Sequence, residues 1–201
     1  MRYIFYREHK YVLYAVTELE RLIAKTDFTD NIAVTKISFE LTDIQEMLHF
    51  HAQHEDKFHQ LLRAKGSSVH VRIEAEHREH ETIFAELHKK LAKLQTLEKH
   101  EERILLGRDF YLAYREFEAI NLRHLNEEEF VLMPELQRLY TDDELKKIEA
   151  ATYKIMTVAQ MREMLDVLFP QMNRDDQQTF LQDIKQAAPE KFAELNKTLV
   201  N

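Results

Sequence analysis

Two short motifs each place a glutamate four residues after a histidine: His51-x-x-x-Glu55 and His124-x-x-x-Glu128. Residues four apart share one face of a helix, so each motif would present an imidazole nitrogen beside a carboxylate oxygen. Helical bundles build their buried metal sites from such side chains, which project inward from facing helices. Because the chain has no cysteine, histidine and carboxylate side chains are its available metal ligands. The two motifs therefore predict a metal site.

The segments around the motifs are predicted to be helices. Apolar residues recur at alternating spacings of four and three, which is typical of amphipathic helices. Polar or glycine-containing breaks separate four such segments, at Thr26–Asn31, Gly66–Ser68, around His100 and at Tyr140–Asp143. Only 2 Gly and 3 Pro occur in 201 residues, too few for the many turns of a β-sandwich or barrel. The sequence thus predicts an all-α, up-down four-helix bundle over residues 1–139.

Histidine and glutamate interrupt the apolar stripe of the predicted helices at one depth. In an up-down bundle, two residues at equal depth are symmetric about the loop that joins their helices. The midpoint of 9 and 51 is 30, that of 55 and 77 is 66, and that of 77 and 124 is 100.5, all at predicted breaks. An error of two residues would displace a ligand by only about 3 Å. We expect these groups to converge, with a metal compensating the buried carboxylates: His9, His51, Glu55, His77, His124 and Glu128.

The remaining histidines off the stripes are interpreted as solvated. A histidine on a helix surface usually faces water, and these residues lie off the apolar faces or far from the common depth. They are His49, His59, His70, His88 and His100.

Four segments of the sequence resemble the hemerythrin-like (HHE cation-binding) family over about residues 3–137. They are REH at Arg7–His9, HAQHED at His51–Asp56, EAEH at Glu74–His77 and HLNEEEFVLMPEL at His124–Leu136. The last segment is the most specific of the four. The resemblance implies a four-helix bundle around a non-haem di-iron centre. It also implies that Glu55 and Glu128 bridge the irons, with terminal ligands His9, His51, His77 and His124.

The fifth histidine ligand has two candidates. Oxygen-carrying hemerythrins, which the chain resembles, use five histidines, two of them a full turn apart on the third helix. This chain offers His80, three residues after His77, or His54, next to Glu55. Both residues stay open as ligands at this point.

The predicted ligand set indicates what the site would do. Many imidazoles and few carboxylates suit late first-row metals; the resemblance implies iron, and zinc would fit the same ligands without redox chemistry. Ferritin-like sites need Glu-x-x-His on two helices, and on the stripes only Glu74-x-x-His77 fits. We therefore expect a protein that binds or senses dioxygen, nitric oxide or iron status. A di-iron oxidase or peroxide-consuming enzyme, an iron store and an interaction module with a structural metal are the alternatives.

The net charge and the rest of the sequence indicate the partners, the cellular location and the structure of the C-terminal region. The net charge of -8 disfavours a nucleic-acid partner, and no apolar run approaches the ~20 residues of a membrane span. Charged residues interrupt the beginning of the sequence, which argues against a signal peptide, so we expect a cytoplasmic protein. Residues 140–201 are predicted to form a helical extension packed on the bundle. Its first helix would begin at a capping box, Thr141 with Glu144, and run to about Asp166.

Overall fold

The computed structural model describes residues 7–199, and these form helices without any strand. The all-α prediction is confirmed. The first four long helices are α1 (Arg7–Ala24), α2 (Asn31–Ala64), α3 (Val69–Thr96) and α4 (His100–Glu127). A π-helical turn (Glu128–Leu132) links α4 to α5 (Met133–Leu139). The chain continues as α6 (Asp142–Ile155), α7 (Val158–Leu168), a 3-10 turn (Phe169–Gln171), α8 (Arg174–Ala187) and α9 (Pro189–Leu199). Residues 1–6, where the bundle was predicted to begin, lie outside the described part.

The chain divides into two compact units. The bundle unit is Val12–Leu132, and of the described residues the tail unit comprises 7–11 and 133–199. The domain boundary predicted after residue 139 stays a prediction.

Within the bundle unit, neighbouring helices run antiparallel. Tyr114 of α4 donates a hydrogen bond to the backbone oxygen of Val16 (3.0 Å), while Tyr111 donates to Glu20 (2.7 Å), so residue numbers fall along α4 as they rise along α1. The core between the helices is a continuous cluster of apolar side chains. It includes Val12, Val16, Leu19, Ile23, Ile37, Leu41, Phe84, Leu87, Leu91, Phe110 and Phe117.

The loop between α1 and α2 packs directly against the backbone of α4. The Phe28 ring lies edge-on to Phe110, with 5.9 Å between ring centroids, and the Arg103 side chain donates to the Phe28 backbone oxygen (2.9 Å). A Cβ atom at Gly107 would overlap the Phe28 side chain. Glycine at this position therefore permits the close approach of the loop.

The tail unit has a core of its own, formed by Tyr153, Met161, Leu165, Leu168, Met172, Phe180, Ile184, Ala188 and Leu195. The capping box of Thr141 with Glu144 is present as predicted. The single helix predicted to run to about Asp166 is wrong, because α6 ends at Ile155 and α7 begins at Val158. A second capping box, Thr157 with Gln160, satisfies the backbone at this break and starts the new helix.

Candidate metal centre

Four of the predicted residues meet in the interior of the bundle unit. Glu55 of α2, His77 of α3, His124 of α4 and Glu128 of the π turn each offer one ligand atom, and these atoms lie within 4.8 Å of one another. His77 Nε2 is 3.3 Å from a Glu55 oxygen and 3.0 Å from His124 Nε2. His124 Nε2 is 3.2 Å from Glu128. The four residues thus surround one small volume.

His51 extends this group along α2. Its Nε2 lies 3.0 Å from Oε1 of Glu55, and the residue is buried. His9 belongs to the tail unit, and its role as a ligand stays a prediction.

The two candidates for the fifth histidine lie in different surroundings. His80 is buried, and its ring lies edge-on to that of His124 with 5.0 Å between centroids. Its Nε2 has no hydrogen-bond partner among residues 7–199. His54 is half-buried, and its ring lies 5.9 Å from that of Phe58. The geometry around His124 therefore favours His80.

The two carboxylates of the centre favour protonation of the neighbouring histidines. Burial alone would lower the pKa of His77, but the nearby carboxylates of Glu128 and Glu55 raise it to about 9. The pKa of His124 is also raised, because Glu128 outweighs the effect of burial. Burial and the charge of Glu55 oppose ionisation of Glu128, yet contacts with His124 and His77 keep its pKa below the ordinary value. The two buried carboxylates thus favour positive charge in the centre of the site.

The pKa of His80 is shifted in the opposite direction to those of His77 and His124. Burial, followed by the neighbouring charges of His124 and His77, lowers its pKa to about 3. A neutral imidazole is the form that binds a metal. His80 is therefore a deprotonated nitrogen donor at neutral pH.

Glu76 is a supporting residue that the sequence did not indicate. Its carboxylate lies 2.9 Å from His124 Nδ1 and also pairs with Arg72. A carboxylate on one ring nitrogen of a histidine fixes the tautomer and directs the other nitrogen to the metal. Glu76 directly precedes His77, and adjacent helical residues do not share a face, so spacing within α3 gave no signal for it.

The solvated interpretation of His59 and His70 is wrong. His59 is fully buried and His70 nearly so, and the His59 ring stacks on His77 with 5.9 Å between centroids. Burial lowers the pKa of His59. Its position four residues after Glu55 was the available signal, since it puts both side chains on one face of α2.

Glu128 begins the π turn, and this changes the register of the helix beyond it. A π turn adds a residue to the helical repeat and is often found at functional sites. As a result Leu132 is buried (1% exposed), whereas Val131 is 42% exposed. Continuing the four-three spacing of positions 117, 120, 124 and 128 would instead have put Val131 on the inner face. The turn gives the helix a local change of register at the metal centre.

Comparison with known proteins agrees with this geometry. The family model of the hemerythrin HHE cation-binding domain matches residues 1–136. The chain belongs to the hemerythrin HHE family. No curated protein and no solved structure gives a significant match. The family and the buried histidine–glutamate clusters make this hemerythrin-like chain a metal-binding protein.

The donor set fits a transition metal. Imidazole nitrogens together with carboxylates are ligands for iron, zinc and their neighbours in the first row, and the unpartnered Nε2 of His80 is a further nitrogen donor beside them.

Among the helices formed by residues 7–199, none combines the length and apolar character that crossing a bilayer requires.

Proposed function

We propose that this protein holds a non-haem di-iron centre and uses it to bind or sense a small diatomic ligand, dioxygen in the first place. The observation that supports this most is the pair of buried carboxylates around one imidazole. His77 Nε2 lies 3.3 Å from Glu55 and 3.8 Å from Glu128, and both glutamates are almost fully buried. Each also has its own histidine four residues earlier on the same helix.

This arrangement supports two cations between the glutamates. Unpaired carboxylates are costly to bury, and here they raise the pKa of both His77 and His124, so the site favours bound protons or bound cations. Metal ligation requires neutral imidazole, so bound metal would take the place of those protons. Glu55 and Glu128 would then bridge two ions.

Nitrogen ligands would complete the centre on both sides of the bridge. We assign His51, His77, His80 and His124 to this role, together with His9 as predicted from the sequence. The neutral state of His80 supports its choice over His54. Glu76 holds the His124 ring so that Nε2 faces the carboxylates.

These residues would hold iron, which would supply reversible redox chemistry and affinity for a small diatomic ligand. We favour binding or sensing over oxidase or peroxide chemistry because imidazoles outnumber carboxylates in this ligand set. Nitric oxide, or iron itself, is the second candidate for the sensed species, and zinc would make the centre structural. We place the protein in the cytoplasm, where ferrous iron and dioxygen are both accessible.

Absorption spectroscopy tests the proposal. The metal-free protein would be loaded with Fe²⁺ without oxygen, exposed to dioxygen and then returned to argon. We expect a charge-transfer absorption that appears with dioxygen and declines when it is removed. Permanent oxidation with turnover of peroxide would indicate an enzyme instead. Preference for zinc, with no iron-dependent spectrum, would contradict the proposal.

A further inference from the structure

A cleft of about 650 Å³ lies between α2 and α3 of the bundle unit. Its inner wall includes His77, His80 and Phe84, while exposed residues on its outer part include Glu46, His49 and Glu81. We propose that this cleft is the route by which divalent cations reach the metal centre, and that Glu46, His49 and Glu81 capture them on the way. The inference rests on the proposed function, since it requires that the centre hold metal.

The centre itself is shielded from solvent. Glu55, His124 and Glu128 are at most 3% exposed, so a hydrated cation has no direct contact with them from solvent. The side chain of His77 is 17% exposed, the largest exposure among the four central residues, and it lines the cleft. The cleft therefore reaches the centre at His77.

The cleft contains a nitrogen donor, the imidazole of His80. His80 is 6% exposed, and its Nε2 has no hydrogen-bond partner among residues 7–199. It lines the cleft next to His77 and contacts the His124 ring. A cation that entered past Phe84 would thus find an imidazole before it reached the carboxylates.

The walls of the cleft carry negative charge. Glu46 and Glu81 lie on opposite walls, and no lysine or arginine of the described chain lines the cleft. A cleft lined by one sign of charge concentrates counter-ions and raises their association rate. The histidine at position 49 adds an exposed imidazole on the same wall as Glu46. A transition metal that enters the cleft would meet carboxylate oxygens first and imidazole nitrogens next. Both kinds of ligand can replace its bound water.

Stopped-flow mixing of the metal-free full chain with Co²⁺ alone tests the route, with visible absorption as the readout and 0.15 M salt to screen distant charges. The test variant is Glu46→Gln with Glu81→Gln. The matched control is Asp43→Asn with Glu79→Gln, which removes the same charge from exposed positions of α2 and α3 that do not line the cleft.

We expect the test variant to load about tenfold more slowly and to reach the same final cobalt content, with the control within about twofold of the wild type. Equal loading rates in the two double variants would overturn the inference, as would a lower final content in the test variant, which would make these glutamates permanent ligands. If the wild type itself retained no metal at equilibrium, the proposed function would fail.

Discussion

Replacing His77 with glutamine should remove a defined part of the pH dependence of stability in the metal-free protein. His77 lies between Glu55 and Glu128, and the charge of these carboxylates raises its pKa from 6.5 to about 9 against the effect of burial. Folding therefore favours the protonated ring. This contribution to the free energy of unfolding is fully present below pH 6.5 and is lost as the pH rises through 9.

The size of the effect follows from the change in pKa. A rise from 6.5 to about 9 corresponds to about 3 kcal/mol, since one pKa unit is about 1.4 kcal/mol. The side chain of His77 is only 17% exposed, so water screens the interaction little. The raised pKa of His124 acts in the same direction, and a charged His77 lowers it. The pKa of His124 therefore rises further in the variant, so about 3 kcal/mol is the upper limit of the difference.

Urea unfolding in the presence of a chelator, followed by circular dichroism at pH 6.5 and pH 10, measures this contribution. Between these pH values the wild type should lose up to about 3 kcal/mol more than His77→Gln. The exposed His100 gives the control, and His100→Gln should lose as much as the wild type. Equal losses in wild type and His77→Gln would refute the assignment of a stabilising proton to His77.

Three further predictions concern single residues. His124→Ala should lower bound iron at least tenfold, measured by elemental analysis after desalting, while His100→Ala should leave it unchanged; similar iron content in both variants would contradict the ligand assignment. Gly107→Ala should lower the free energy of unfolding by about 1 to 2 kcal/mol, because its Cβ meets the ring and the Cβ of Phe28, and the loss should disappear in a Phe28→Gly background, which removes both; a loss of the same size there would show another cause. Thr141→Ala should cost about 1 kcal/mol through loss of the capping box, and an unchanged urea midpoint would argue against it.

The alternation of four and three in the sequence predicted the helices. Symmetry about the loops predicted that the site residues meet at one depth. The breaks that separate the four helices lie where the loops are, at residues 25–30, 65–68 and 97–99. Symmetry about those loops therefore gave the correct relative depth of Glu55, His77 and His124, which are in contact.

Features that depend on contacts between helices could not be obtained in this way. Glu76 acts across to α4, and no spacing within α3 reports that contact. The π turn at Glu128 shifts the register by one residue, so a fixed alternation of four and three placed Val131 inside. The break at Thr157 was missed because its capping box uses glutamine and lies within an apolar pattern that continues on both sides.

The iron stoichiometry of the protein tests the central claim most directly. Anaerobic titration of the metal-free full chain with Fe²⁺, followed by elemental analysis, should show saturation at two irons per chain. In Glu55→Gln the second iron should be lost, because an amide lacks the charge needed to hold two cations close together. Saturation at one iron in the wild type, or two irons retained in Glu55→Gln, would contradict a centre bridged by Glu55 and Glu128.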